Sequence, residues 1–163
     1  MKNLLKRLIS HDDVEQQARQ YYAELVTQSR TTELYTHCGI PDTLDGRFEA
    51  VILHVFMEEI RLKSSQDTSE QWLRLLHESF FADMDRSLRE GGVGDTGISK
   101  RVQRMASGFY GRLTSYHDAW GDDAAFKDAL LRNAYGTCET PPTPEQIETL
   151  TQYIERALAA SNK

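Results

Sequence analysis

The chain carries a perfect GxGxxG at Gly92, Gly94 and Gly97, and the residues ahead of it decide what that motif can be. Trp72, Leu73, Leu76, Phe80, Met84 and Leu88 recur at steps of three and four, which is the apolar stripe of an amphipathic helix and not the alternation of a strand. A dinucleotide fingerprint needs a strand running into its first glycine and a helix leaving its last, inside a parallel βαβ unit. With a helix on the entry side that unit cannot form, so the glycines are expected to join two helices. Gly91 falls where a left-handed C-cap residue belongs, and Asp95 or Thr96 can accept from the free amides that open the next helix.

The same period recurs along the chain. Val14, Ala18, Tyr21, Tyr22, Leu25 and Val26 mark a helix that Ser10 and Asp13 can start, and Thr32 can cap a short helix bearing Leu34 and Tyr35. Gly39 stops that helix, and Pro41 forces Ile40 out of helical geometry. The next helix is expected from Asp42 or Thr43. It sets Leu44, Phe48, Val51, Ile52, Val55, Phe56 and Ile60 on one face, wide enough for a central core helix. Residues 63–69 read as a loop, with Asp67 and Glu70 forming a capping box for the Trp72 helix. Ile98, Val102, Met105, Phe109, Leu113 and Tyr116 make the stripe after the glycine turn, and Phe126, Leu130 and Leu131 mark a shorter helix that Gly136 can end. Thr143, Pro144 and Gln146 then open a last helix with cap, first-turn proline and capping-box partner in order, its stripe being Ile147, Leu150, Ile154 and Leu158. No segment alternates as a strand does. The expected fold is all-α, a single-domain compact helical bundle of about six or seven helices.

A length of 163 residues suits one domain with a core of its own. The net charge of −6 argues against coating of nucleic acid, and DNA is not an expected partner. Cys38 and Cys138 form no CxxC and no disulfide framework, which fits a reducing, cytosolic compartment. No apolar run approaches the roughly 18 residues that span a bilayer, and MKNLLKRLIS lacks a signal-peptide core with a cleavage site. Its Leu4, Leu5, Leu8 and Ile9, with Lys2, Lys6 and Arg7, make a short basic amphipathic turn; packing or fraying is the simpler expectation, contact with an anionic membrane the other.

Lys100, Arg101, Arg104 and Arg112 line the polar side of the helix whose other side is the Val102 stripe. A solvated face explains such a run as well as recognition does. Yet Lys100 and Arg101 stand in the first turns, where the helix dipole disfavours cations, so they are placed to meet an anion. That anion is either the Asp83, Asp85 and Glu90 carboxylates of the preceding helix or a group on another molecule. Asp42, Asp45 and Arg47 crowd a second helix start, which suits the two carboxylates electrostatically. Gly46 there costs roughly 1 kcal/mol in helix propensity and lets another backbone approach, with close helix packing the simpler reason. His54, His77, His117 and Asp118 raise a metal-dependent phosphohydrolase of an all-α type. The HisAsp pair falls at a helix end, however, and recurs at His11 and Asp12, so it reads as incidental; His37 with Cys38 supplies two adjacent donors and no coordination shell. There is no GxSxG, P-loop or HExxH. No catalytic residue, metal or cofactor is expected.

Leu34, Tyr35, the run GIPDTLDGRFE from Gly39 with Leu53 and His54 after it, FADMDRSLREGGVGD from Phe81, then Lys100, Arg101 and FYGR from Phe109 together resemble the ubiquinol-cytochrome c chaperone family. The resemblance covers about residues 14–135 and leaves the proline-linked carboxy-terminal helix outside it. It implies a compact helical fold and a non-enzymatic assembly factor. Mitochondrial members bind newly made cytochrome b, associate with the ribosomal exit region, work with a small partner protein and promote assembly of ubiquinol-cytochrome c reductase. On that footing the chain is expected in the cytoplasm, peripheral at the cytoplasmic face of the inner membrane, holding cytochrome b or an early intermediate that contains it. Asp42, Asp45, Arg47, Asp83, Asp85, Arg86, Lys100, Arg101, Arg104 and Arg112 are the residues expected to register the partner electrostatically, with apolar contacts supplying most of the affinity. The alternatives are the phosphohydrolase and a ribosomal RNA contact by the Lys100 to Arg112 stripe, whose affinity would fall steeply with salt.

Overall fold

A computed structural model describes residues 11–64, 70–91 and 94–160, leaving the side chains at positions 11, 95, 96 and 98 outside the description. The described residues form seven α-helices and no strand: α1 (His11–Gln28), α2 (Thr32–Thr36), α3 (Leu44–Ser64), α4 (Glu70–Glu90), α5 (Asp95–Ala119), α6 (Asp123–Arg132) and α7 (Pro144–Ala160). The basic amino-terminal turn, the cap by Ser10, the Asp67–Glu70 box, the caps by Asp95 or Thr96 and Gly92 of the glycine motif lie outside the described residues or side chains.

Helix ends follow local chemistry where a side chain can reach the backbone. Thr143 and Gln146 close a reciprocal box, the Thr143 N–H donating to Gln146 Oε1 at 2.9 Å and the Gln146 N–H to Thr143 Oγ1 at 3.2 Å. Thr43 caps α3 by accepting from the Gly46 N–H at 3.1 Å. The Asp122 carboxylate does the same for Ala125 at the start of α6. Gly39, at φ 73°, supplies the left-handed residue that ends the α2 segment, and Gly121, at φ 100°, turns the chain into α6.

Four expectations need correction. The residue before α2 is Thr31, and it makes no side-chain cap, so Thr32 opens the helix as its first residue. Lys63 and Ser64 belong to α3, whose ladder continues past the last apolar position. Gly91 is not left-handed: its N–H donates to the Ser87 carbonyl at 3.0 Å, continuing the α4 ladder by one residue. α6 ends at Arg132, and Gly136 serves by lacking a side chain, since a Cβ there would stand 2.4 Å from the Arg132 carbonyl oxygen.

The chain divides into two compact units, one of Met1–Glu24 with Thr68–Arg104 and one of Leu25–Asp67 with Met105–Lys163. In the first, Ala18 and Tyr22 of α1 and Leu75, Leu76 and Phe80 of α4 are buried. Tyr22 stands edge-on to Phe80 at 6.4 Å, and Tyr21 lies 5.8 Å from Trp72. In the second, α3 is the central helix, its Ala50, Ile52, Leu53, Val55 and Phe56 excluded from water. Phe56 gathers Tyr116, Trp120 and Phe126 within 6 Å. Leu150 and Ile154 bring α7 into the same core, against α3 and α6. Two stripe positions stay outside it. Leu44 is 80% exposed because it is the first residue of α3, one turn ahead of a Phe48 that is itself only half-buried, and Leu131 lies at the edge of exposure on α6.

Candidate interaction site

The start of α3 is built on a close approach. A Cβ at Gly46 would fall 1.9 Å from the Pro41 carbonyl oxygen, so the chain before the helix lies directly against its first turn. The approaching backbone is this loop and not a neighbouring helix. Asp42, Asp45 and Arg47 are all exposed around it, and Arg47 Nε donates to Asp42 at 2.8 Å. Both partners of that pair are more than half exposed, so its contribution to stability is small.

Arg112 behaves differently from the rest of the basic stripe. Its Nε sits 2.6 and 2.7 Å from the two carboxylate oxygens of Glu49, its Nη2 reaches Glu49 at 2.5 Å, and its Nη1 donates to the Gly108 carbonyl at 3.1 Å. The guanidinium carbon stands 5.7 Å over the Phe48 ring. Glu49 is 1% exposed; burial pushes its carboxyl up and the Arg112 hydrogen bonds pull it back. Gly108 leaves room for this arrangement, since a Cβ there would meet Arg112 Nη1 at 2.9 Å. Arg112 thus turns inward and ties α5 to α3 beneath the exposed corner.

Glu49 has two buried companions on the same helix. Glu59 pairs with His117 of α5, and Glu58 accepts from Arg61 at 2.7 Å. Sequence reading passed over all three, although Glu49 and Glu59 both stand on turns of an otherwise apolar face, where a carboxylate demands a cation. His54 is likewise buried and committed. Its Nδ1–H donates to the Ala50 carbonyl at 2.7 Å, which leaves Nε2 to accept from the Tyr153 hydroxyl at 2.9 Å. Burial lowers its pKa to about 4. Both ring nitrogens being occupied, His54 is a neutral tie between α3 and α7 and not a metal ligand, and no group of three candidate ligands converges among the described residues.

In the first unit Asp83 and Asp85 of the acidic arm are paired on their own helix. Asp83 pairs with Arg86 and accepts from Tyr22 at 3.1 Å, while Asp85 accepts from Arg89 at 2.8 Å. These are pairs three or four residues apart on one helix. Lys100, Arg101 and Arg104 are exposed and make no ion pair among the described residues. Neither Asp83 nor Asp85 is paired with them.

Among the described residues, then, Glu49, His54 and Glu59 are tied in buried pairs within an all-helical fold, and Asp42, Asp45 and Arg47 display charge at the start of α3. Residues 36–162 match the family model described as ubiquinol-cytochrome C chaperone, and the chain belongs to that family. The match runs through α7. The chain is 27% identical over 143 residues to ubiquinol-cytochrome c reductase complex assembly factor 1 of Mus musculus and 25% identical to that of Homo sapiens, in each case over 86% of this chain. It spans about half the length of those relatives, 48% and 47%. The crystal structure of the Cbp3 homolog from Brucella abortus is similar with a TM-score of 0.72 and 31% identity, over 94% of this chain and 84% of that one.

Proposed function

We propose that this chain promotes assembly of ubiquinol-cytochrome c reductase by binding newly made cytochrome b, or an early intermediate that contains it, at the cytoplasmic face of the inner membrane. The observation that carries the reading is the family match over residues 36–162, together with relatives named for assembly of that complex. Binding replaces chemistry in this account: the histidines and buried carboxylates with resolved partners are held in structural pairs, which favours a role without catalysis. No described helix is long and apolar enough to cross a membrane, and this reading takes the contact with the bilayer as peripheral. Contacts with the ribosomal exit region and with a small partner protein belong to the same reading.

Partner registration falls to Asp42, Asp45 and Arg47 at one helix start and to Asp85, Arg86, Lys100, Arg101 and Arg104 around the glycine turn, with Arg112 and Asp83 holding those segments in shape. Photo-crosslinking from positions 85, 101 and 104 in cells tests this. Capture of cytochrome b from these positions is the expected result; crosslinks confined to ribosomal RNA would overturn the assignment of the client.

A further inference from the structure

The described cations of the first unit fall into two sets. Arg19, Arg74, Arg86 and Arg89 each pair with a carboxylate three or four residues away on their own helix. Lys100, Arg101 and Arg104 pair with none among the described residues. At about 100° per residue the three project within an arc of about 100° on α5, over some 6 Å of helix. They stand in its second and third turns. An acidic chain of net charge −6 has carboxylates to spare, yet supplies none here. The stripe is complementary to an anion that the described residues do not provide.

We propose that the anionic group met by Lys100, Arg101 and Arg104 as they register a membrane-held client is the phospholipid headgroup beside it, so that the three form a docking surface for the bilayer. The choice of a bilayer rests on the assembly reading above. Ubiquinol is an apolar quinol that dissolves in the membrane, so on that reading the chain meets its client at the bilayer surface, where exposed cations face anionic headgroups. RNA is the weaker match. Three cations neutralise few phosphates, and the stripe has no aromatic residue on which a base could stack. Each cation near an anionic surface contributes enough for about a fivefold gain in partitioning, so the stripe gives reversible attachment and not a permanent anchor.

The test is sedimentation of the full chain with vesicles of phosphatidylcholine alone or with phosphatidylglycerol added, at low and high salt, for the wild type, the triple variant Lys100→Gln, Arg101→Gln, Arg104→Gln, and a control variant Lys2→Gln, Lys6→Gln, Arg7→Gln. Binding is expected only with phosphatidylglycerol, weaker at high salt, and reduced roughly a hundredfold in the triple variant. The control variant is expected to keep the larger part of it. Equal binding by wild type and triple variant, or loss confined to the control variant, overturns the proposal, as does a stripe-dependent affinity for ribosomal RNA without one for vesicles. Restoration of reductase activity in a host lacking the gene is read in parallel. Failure to bind vesicles by a chain that still restores the reductase sinks the docking surface alone, whereas vesicle binding by a chain that restores nothing sinks the assembly reading alone.

Discussion

At the scale of single residues, the Glu49–Arg112 pair is the contact whose loss costs most. Removing the cation strands a carboxylate that is 1% exposed, and Arg112→Ala is expected to destabilise the chain by about 3 kcal/mol in urea denaturation. Arg112→Lys recovers little, because one ammonium cannot reproduce the two-point contact with Glu49 and the bond to Gly108 together. Replacing both partners, Glu49→Leu with Arg112→Met, returns most of the stability, since neither charge is then left unpaired in the interior. His54 makes a prediction in pH. Its folded pKa of about 4 lies below the 6.5 of an exposed imidazole, so between those values the unfolded chain binds the extra proton. The stability it contributes is therefore complete above pH 6.5 and lost as pH falls toward 4. Against the wild type, His54→Gln is expected to show a slope of stability with pH that is shallower by up to about 1.4 kcal/mol per unit in that window. An unchanged slope would mean that His54 is not buried and neutral. Tyr153→Phe, which strands the His54 acceptor, is expected to cost about 1 kcal/mol.

At the scale of elements, the helices were legible where the deciding atoms are close in sequence. The Thr143–Pro144–Gln146 start of α7 formed as the sequence implied, because cap and box lie within one turn. The same locality explains Gly39, whose positive φ a side chain would strain. Gly91 misled because a glycine after a helix can also continue it, and only the ladder decides. Gly46→Ala is expected to cost about 2 kcal/mol, the Pro41 carbonyl having to move for the new methyl group, whereas Thr143→Ala should cost about 1 kcal/mol. Thermal unfolding followed by circular dichroism measures both. A neutral Gly46→Ala would show that the loop yields freely.

For the whole molecule, the all-α fold could be read from period alone, and the family from its motifs, while the commitment of charge could not. Arg112 and Glu49 are 63 residues apart, and no local pattern marks one as the other's partner. The wheel put Arg112 with Lys100, Arg101 and Arg104 as one basic stripe, yet packing turns it inward and leaves the others exposed. Asp83 and Asp85 were legible as charged, but whether they faced the opposite arm depended on coordinates; they pair on α4. The central claim is that a chain of this form acts on the assembly of ubiquinol-cytochrome c reductase. The most direct measurement is cytochrome b content and reductase activity in membranes of a host that owns the complex, with the gene deleted and then restored. Loss of both on deletion, with recovery on restoring the wild-type chain, is the predicted result; membranes with unchanged cytochrome b and unchanged activity would contradict it.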